Sequence, residues 1–338
     1  MPYKCVRLNS FGGPEVLELV TLETLPEPKD DEVRVRVLVT SAAFTDVMIR
    51  KGMYPDIKEK PPFVPGYDMV GIVDALGADV SQWAIGDRVA DLTTLGAYSE
   101  YLCLSADRLS KVPRAVSDED ALAMVLSGVT AWQMLHRVAK VQAGQSILVH
   151  GAGGAVGTMM LQLAREAGIT AHGTDIAAKH DLIRKFGAKP IAIDADAEML
   201  ESAVGGGGGV DAVFDPLGGE SLSRSLHVLK PGGILVAFGF TNEVLGRGGS
   251  IPMDIVKLRL WDWLPNGHAT AFYSIGAMRR RHPEWFRQDL EALLGLLAAG
   301  NIAPAIAEVL PLSEVRAAHR RVEAGEVSGK LILRVTEQ

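Results

Sequence analysis

The stretch from Ser146 to Gly168, SILVHGAGGAVGTMMLQLAREAG, constrains the fold of this chain more than any other. It opens on an apolar run short enough to be a buried strand, breaks into a glycine-rich turn, and continues through good helix formers. Glycines let a backbone approach a pyrophosphate closely, and a helix N-terminus offers unpaired N–H groups. The spacing through Gly151, Gly154 and Gly157 differs by one residue from the common G-x-G-x-x-G. We interpret the stretch as a dinucleotide-binding element; the alternative is a tight glycine turn in another α/β protein.

Strands and helices alternate after this element. They are predicted, in chain order, at 171–174 (strand), 179–186 (helix), 191–194 (strand), 210–214 (strand), 221–229 (helix) and 234–239 (strand). A run of five glycines, 205–209, is predicted to be a loop, and Pro231-Gly232-Gly233 to end the helix before it. Alternation of this kind is typical of a parallel, doubly wound sheet.

The chain before this region is predicted to be rich in β-structure. Residues 32–39, EVRVRVLV, alternate polar and apolar side chains, which indicates a strand with one buried face. Ser117, followed by Asp120, marks the start of a helix. Helices are predicted at 251–263 and 284–299, and we expect the closing strand at 329–335 to return to the first domain.

Composition narrows the classes of function. A chain of 338 residues suggests two domains, and a net charge of −7 without a long basic block disfavours a nucleic-acid surface. Cys5 and Cys103 are too few for a zinc framework and do not suggest secreted disulfide chemistry. Because the sequence shows neither a signal peptide nor an apolar run long enough to span a membrane, we expect a cytoplasmic protein without a membrane partner.

Longer motifs resemble the medium-chain dehydrogenase/reductase superfamily, in particular its zinc-independent quinone oxidoreductase group and the vesicle amine transport protein branch. The motifs are SFGGPEVLEL, IRKGMYP, FVPGYDMVGIV, GAYSEY, SGVTAWQML, VHGAGGAVG, DPLGG, LKPGGILVAFG and GKLIL. The resemblance implies a GroES-like β-domain at 1–125 and 284–338, a Rossmann domain at 126–283, and a cleft between them. It also implies a nicotinamide cofactor and a homodimer.

The resemblance also bears on zinc. In zinc alcohol dehydrogenases of the superfamily a Gly-His-Glu segment supplies a metal ligand, and the matching segment here is Gly66-Tyr67-Asp68. The expected ligand cysteine is replaced within residues 42–46, and the four-cysteine lobe is missing. Because tetrahedral zinc sites need several thiolate or imidazole ligands, we expect no metal.

Asp175 and Lys179 follow the second predicted strand and bear on the choice of cofactor. Asp175 lies 24 residues after Gly151, near the place where an acid hydrogen-bonds the adenosine ribose of NAD. Lys179 lies four residues further on, where the resemblance places a basic residue for the 2′-phosphate of NADPH; otherwise it is a solvated helix side chain. We expect NADPH, and NADH stays the alternative because of Asp175.

Further cofactor contacts are expected from the glycine turn, from the edge of the sheet and from the closing strand. Thr130, in SGVTAW, matches a position near the nicotinamide, although a threonine inside a helix also commonly bonds its own backbone. The remaining predicted cofactor-binding residues are Gly151, Ala152, Gly153, Gly154, Ala155, Val156, Gly157, Thr174, Leu217, Phe238, Gly239, Phe240 and Lys330.

Three residues are candidates for the substrate site. By resemblance, Tyr54 and Asp46 border the substrate cleft, and Tyr67 occupies the position of the lost zinc ligand. A phenol there is able to donate a hydrogen bond to a developing enolate oxygen; the alternative is an aromatic side chain that only packs. Ala43 stands where relatives carry an asparagine, so the cleft loses one polar group.

These residues predict direct hydride transfer from a nicotinamide to an electron-poor carbon of a small molecule, either a quinone or an α,β-unsaturated carbonyl. One alternative is an enoyl-thioester reductase, for which Arg279–Arg281 would supply basic contacts. The other alternative is a nucleotide-binding protein without catalytic activity, which the loss of the asparagine at Ala43 supports.

Overall fold

The computed structural model describes residues 1–205, 208–265 and 267–336. The β-strands, in chain order, are β1 (Tyr3–Leu8), β2 (Leu17–Leu22), β3 (Glu32–Ala42), β4 (Met69–Leu76), β5 (Arg88–Asp91), β6 (Tyr101–Ser105), β7 (Ser110–Lys111), β8 (Ser146–His150), β9 (Thr170–Asp175), β10 (Lys189–Ala192), β11 (Val210–Asp215), β12 (Leu229–Ala237), β13 (Ala269–Phe272), β14 (Ile306–Pro311) and β15 (Lys330–Arg334). The α-helices, in chain order, are α1 (Phe44–Arg50), α2 (Asp118–Ala123), α3 (Val129–Trp132), α4 (Ala155–Glu166), α5 (His180–Lys185), α6 (Ala197–Ala203), α7 (Glu220–His227), α8 (Thr241–Val244), α9 (Ile251–Trp263), α10 (Ile275–Arg281), α11 (Pro283–Ala298) and α12 (Val315–Ala324).

The chain divides into two compact units. The first consists of Met1–Leu126 and Phe286–Gln338, and the second of Ser127–Trp285. Each unit has its own main sheet, and β1 and β2 form a further two-stranded sheet in the first unit.

The first unit is built on a mixed sheet with the strand order β14-β15-β3-β4-β5-β7, and β6 pairs with β3. Val33, Val35 and Val37 of β3 are fully buried while the residues between them are partly exposed, so the predicted alternation is confirmed. The closing strand β15 pairs antiparallel with β3 and parallel with β14, which brings the end of the chain into this sheet. The result is a GroES-like β-fold, as the resemblance implied.

The second unit is a parallel sheet with the strand order β10-β9-β8-β11-β12-β13. Numbered from its own first strand this order is 3-2-1-4-5-6, the arrangement of a Rossmann fold. The strand order reverses between β8 and β11. In such sheets, ligands bind at the carboxyl ends of the strands beside this reversal, here at the end of β8. The predicted doubly wound sheet is confirmed.

Several predicted elements differ in their bounds. The third strand of the second sheet was predicted at 191–194 but runs over Lys189–Ala192. The segment Pro231-Gly232-Gly233 lies inside β12, because α7 already ends at His227 and the register between β11 and β12 shifts there. Of the predicted glycine loop, positions 206 and 207 lie outside the described residues.

The helix predicted at 251–263 is confirmed as α9, and Ser117 caps α2 by accepting a hydrogen bond from the backbone of Asp120 at 3.1 Å. Within the described residues, no helix combines the length and the apolar character needed to cross a membrane.

Candidate active site

The glycine turn joins β8 to α4, and its shape depends on two glycines. Gly151 has a φ of +66°, a backbone conformation that favours glycine. At Gly157 a Cβ atom would lie far inside contact distance of the Gly151 carbonyl oxygen, so helix and turn approach each other only because the side chain is absent. Helix α4 begins directly after Gly154 and runs for 12 residues, which leaves the N–H groups of its first turn without acceptors inside the helix. This is a backbone cradle suited to a pyrophosphate.

Asp175 holds the glycine turn in place. Its Oδ2 accepts a hydrogen bond from the Gly153 N–H at 2.8 Å, and its Oδ1 accepts one from the Ile176 N–H at 2.8 Å. Lys179 Nζ lies 3.9 Å from Oδ1, and both side chains are mostly buried. The stem of Lys179 covers Gly153 so closely that a Cβ at that glycine would lie 2.7 Å from the Lys179 Cβ. Asp175 and Lys179 therefore form an ion pair without net charge that packs against Gly153 of the turn.

Asp215, the last residue of β11, holds the loop at 216–219 through hydrogen bonds to its backbone. Asp215 is fully buried, and its Oδ1 accepts hydrogen bonds from the N–H groups of Leu217 at 2.7 Å and Gly218 at 3.2 Å. Asp254 of α9 accepts a hydrogen bond from the Gly219 N–H at 2.6 Å. Two carboxylates thus hold the backbone of this loop, a role that the motif DPLGG alone does not reveal.

The neighbouring strand end, residues 238–240, packs against the same loop. The Phe238 N–H donates to the Asp215 carbonyl at 3.0 Å, and a Cβ at Gly239 would lie 2.8 Å from the Pro216 carbonyl oxygen. The Phe240 ring is buried and stacks on Phe272 with 5.1 Å between ring centroids. The structure therefore brings the predicted residues after β11 and β12 together.

Thr130 and Thr174 also lie in the second unit. Thr130 is nearly buried in α3, between two π-helical segments, Met124–Gly128 and Gln133–Val138. Wide turns of this kind are frequent at functional sites, and no feature of the sequence predicted them. Thr174 is buried at the end of β9, where its hydroxyl contacts Nδ1 of His150 at 2.7 Å.

In the first unit, Tyr54 and Tyr67 form a phenol pair. Their hydroxyl oxygens are 2.7 Å apart, and the rings meet edge to face with centroids 5.5 Å apart. Tyr67 is fully buried and Tyr54 is half-buried. Burial, together with the neighbouring Tyr54, raises the pKa of Tyr67 well above its ordinary value. The Tyr67 phenol is therefore neutral near pH 7, and it shares one hydrogen bond with the Tyr54 hydroxyl.

Asp46 is a fully buried acid beside this pair. Its Oδ2 accepts a hydrogen bond from the Ala43 N–H at 3.0 Å at the start of α1, whereas Oδ1 makes no hydrogen bond to any described residue. Burial, and secondarily the charge of Asp68, raise the pKa of Asp46 to about 8. The carboxyl is consequently protonated at neutral pH.

Lys330 lies in the first unit and forms a buried ion pair. Its Nζ donates to Asp68 Oδ2 at 2.7 Å, and the Ser41 hydroxyl donates to Asp68 Oδ1 at 2.6 Å. Both charged groups are almost completely buried. The Lys330 ammonium, which the sequence analysis assigned to the cofactor site, is thus bound to a carboxylate of its own unit, that of the residue directly after Tyr67.

The donor set does not fit zinc. Within the described part of the chain, no group of three or more His, Cys, Asp or Glu side chains converges on one point. At Gly66-Tyr67-Asp68, the phenol is bonded to Tyr54 and the carboxylate to Lys330. Neither supplies the thiolate or imidazole that a tetrahedral zinc site requires.

The folds and the glycine turn define a class of protein, one that joins a Rossmann-type dinucleotide-binding unit to a GroES-like β-unit. The family described as "Alcohol dehydrogenase GroES-like domain" matches residues 29–114, and the one described as "Zinc-binding dehydrogenase" matches residues 186–333.

Similar proteins extend over nearly the whole chain. The "Synaptic vesicle membrane protein VAT-1 homolog-like" of Mus musculus is 32% identical over 98% of this chain and 81% of its own length. The "2-haloacrylate reductase" of Burkholderia sp is 29% identical over 96% of this chain and 97% of its own length. The crystal structure of Escherichia coli quinone oxidoreductase complexed with NADPH superimposes with a TM-score of 0.88, at 28% identity, over 98% of this chain and 100% of that one. The chain belongs to the medium-chain dehydrogenase/reductase superfamily, in its zinc-independent quinone oxidoreductase-like group.

Proposed function

We propose that this chain is an NADPH-dependent oxidoreductase that reduces a quinone or an α,β-unsaturated carbonyl without a metal ion. The observation that carries the proposal is the dinucleotide cradle of the second unit, with its glycine turn, the N-terminus of α4 and a lysine above the turn. The names of two similar proteins agree with it, since one is a quinone oxidoreductase complexed with NADPH and the other a haloacrylate reductase.

The residues of the second unit fit this coenzyme. Residues 151–157 would hold the pyrophosphate, because the glycines leave room for it and the helix N-terminus offers N–H donors and a positive dipole end. Lys179 would hold the 2′-phosphate, and its charge offsets the repulsion that Asp175 alone would exert. The backbone at Leu217 and 238–240 would hold the nicotinamide half. When bound, the coenzyme supplies the hydride.

The residues of the first unit are suited to donate a hydrogen bond or a proton to the substrate oxygen. We assign Tyr54, whose phenol is half-buried, as the hydrogen-bond donor to the substrate oxygen, and Tyr67 as the phenol behind it. Asp46 lies beside this pair as a buried, protonated carboxyl and so keeps this part of the cluster free of negative charge. Hydrogen-bond donors aimed at a developing oxyanion stabilise it much as a metal ion would.

The test is a coenzyme-oxidation assay with NADPH and NADH against a panel of quinones, 2-enones and enoyl thioesters, run with and without a chelator. We expect NADPH oxidation with a quinone or an enone, unchanged by the chelator. We expect Tyr54→Phe to lower kcat by about 100-fold or more, the lower end of the usual contribution of general-acid assistance. Tyr98→Phe is the control, because Tyr98 is a fully buried phenol whose hydroxyl donates to the Ser41 carbonyl and contacts His319 instead.

Other outcomes would select the alternatives. Oxidation only with enoyl thioesters would identify a thioester reductase. Coenzyme binding without turnover on any acceptor would identify an inactive nucleotide-binding protein, and the absence of coenzyme binding would refute the proposal. The homodimer, the cytoplasmic location and the domain boundaries near residues 125 and 284 stay predictions.

A further inference from the structure

A row of buried polar side chains crosses the carboxyl edge of the second sheet. Thr174 of β9 pairs in register with His150 of β8, and Asp215 of β11 follows Phe214, which pairs with Val149. Since residues paired in parallel strands point to the same face, the three side chains lie side by side on one face of the sheet. The helix that follows β11, α7, brings two serines, Ser221 and Ser225, to the same place. Their spacing of four residues puts both hydroxyls on one side of the helix.

These side chains form a continuous hydrogen-bonded chain. Thr174 Oγ1 lies 2.7 Å from His150 Nδ1, His150 Nε2 lies 3.0 Å from Ser225 Oγ, and Ser225 Oγ lies 2.7 Å from Asp215 Oδ2. Ser221 donates to the same Asp215 oxygen at 2.8 Å but does not extend the chain to His150. All five side chains are buried.

The direction of each hydrogen bond follows from the carboxylate. Asp215 accepts from the Ser225 hydroxyl, so the Ser225 oxygen is left to accept from His150 Nε2–H. Nδ1 of His150 then carries no proton and accepts from the Thr174 hydroxyl. Burial lowers the pKa of His150, which keeps the ring neutral and consistent with this single tautomer. The chain is therefore directional and fully satisfied from end to end.

The residue at each end of the chain also contacts one of the two loops of the candidate coenzyme site, Thr174 through its main chain and Asp215 through its second carboxylate oxygen. The carbonyl of Thr174 accepts a hydrogen bond from the Ala152 N–H of the glycine turn at 3.0 Å. Asp215 Oδ1 holds the N–H groups of Leu217 and Gly218. Main-chain pairing sets the spacing of the strands within the sheet. Beyond the strand ends, the hydrogen-bonded chain through His150 links the residue before the glycine turn to the residues that contact the two loops.

We propose that His150 is a positioning residue that fixes the distance between the glycine turn and the 216–219 loop, so that both halves of one dinucleotide are bound at the same time. The inference rests on the proposed function, because it presumes that a dinucleotide lies across the two loops. It assigns a positioning role to the side chains of His150 and Ser225, whose hydrogen bonds reach Thr174 and Asp215 rather than the glycine turn.

The two serines provide a matched experiment. Ser225→Ala breaks the chain, whereas Ser221→Ala removes an equivalent hydroxyl from the same carboxylate oxygen and leaves the chain intact. We expect Ser225→Ala to weaken NADPH binding about tenfold, within the usual range of coupling between sites, and Ser221→Ala to change it less than twofold. Adenosine 2′,5′-bisphosphate, which reaches only one loop, should bind both variants as it binds the unmodified chain. Binding is measured by fluorescence without any acceptor substrate, and thermal unfolding should show a similar loss of stability in both variants.

Equal weakening of NADPH binding by both serine variants would overturn the inference, as would an equal loss for NADPH and for adenosine 2′,5′-bisphosphate in Ser225→Ala. If Ser225→Ala does not fold, Thr174→Val breaks the chain at its other end, and the same comparison with Ser221→Ala applies. An unmodified chain that binds no NADPH would refute the proposed function instead, so the two failures are distinguishable.

Discussion

Replacing Lys179 by methionine tests how the coenzyme is chosen. The methionine keeps an unbranched stem over Gly153, where the lysine packs, and removes only the ammonium. In the intact protein that ammonium lies 3.9 Å from Asp175 and the pair is neutral. After the substitution the Asp175 carboxylate keeps its two backbone hydrogen bonds but has no cation beside it. A 2′-phosphate then loses its cation and faces an unneutralised negative charge, whereas the 2′-hydroxyl of NADH is able to donate to the carboxylate.

A hydrogen bond to a charged group is worth about 2 kcal/mol, which is about 30-fold in affinity. We therefore expect Lys179→Met to lower kcat/KM for NADPH about 30-fold and to leave kcat/KM for NADH within about threefold, since each 1.4 kcal/mol is tenfold. Lys185→Met is the control, because Lys185 is an exposed lysine on the following helix, α5. The assay is initial-rate oxidation of both coenzymes with one acceptor. If the NADPH-to-NADH ratio stays within twofold of the unmodified protein, the assigned role of Lys179 is wrong.

Three further predictions concern the buried groups and the turn. In the unmodified protein, the folded state keeps the Asp46 proton up to about pH 8, whereas the unfolded chain releases it near its ordinary pKa. The free energy of unfolding therefore falls with rising pH between about pH 4 and pH 8, by at most about 1.4 kcal/mol per pH unit. Asp46→Asn should abolish this fall, which is measurable by urea unfolding at pH 5 and pH 8. Lys330→Met should lower the free energy of unfolding by about 3–5 kcal/mol, because it leaves Asp68 buried without its cation. The double variant with Asp68→Asn should recover part of that loss. Additive losses in the double variant would contradict the ion-pair argument. Gly157→Ala should abolish coenzyme binding in a fluorescence titration, because the new Cβ collides with the Gly151 carbonyl oxygen. Gly154→Ala should weaken binding less, because its Cβ would lie 3.3 Å from the same oxygen. Equal effects of the two variants would show that the close approach at Gly157 is not what shapes the turn.

The dinucleotide element was predictable because its information is local. Strand, turn and helix follow each other within Ser146–Gly168, and glycine is the residue that a positive φ or a close backbone approach selects. The parallel, doubly wound character of the second sheet also followed from the alternation of strands and helices, since parallel strands need crossover connections, usually helices. By contrast, Pro231-Gly232-Gly233 was predicted to end a helix but lies in a strand, because pairing with β11 accommodates the extra residues as a register shift.

The contacts that connect the candidate site residues were not predictable from sequence. Lys330 and Asp68 are 262 residues apart in the chain, and no local pattern indicates that they pair. The candidate residues Tyr54 and Tyr67 were selected separately, and only their fold reveals the shared hydrogen bond. The chain through His150 depends on the register of three strands and the position of one helix, which sequence periodicity does not fix.

The hydrogen bond from Gly153 to Asp175 limits how this site can change over generations. An acid that only contacted a bound ribose would be free to drift to a small residue once a lysine had arrived beside it. Here the carboxylate also anchors the backbone of the turn, so its loss would disturb the pyrophosphate cradle whichever coenzyme is used. A descendant that exchanges one coenzyme for the other is therefore expected to begin at Lys179 and to keep Asp175.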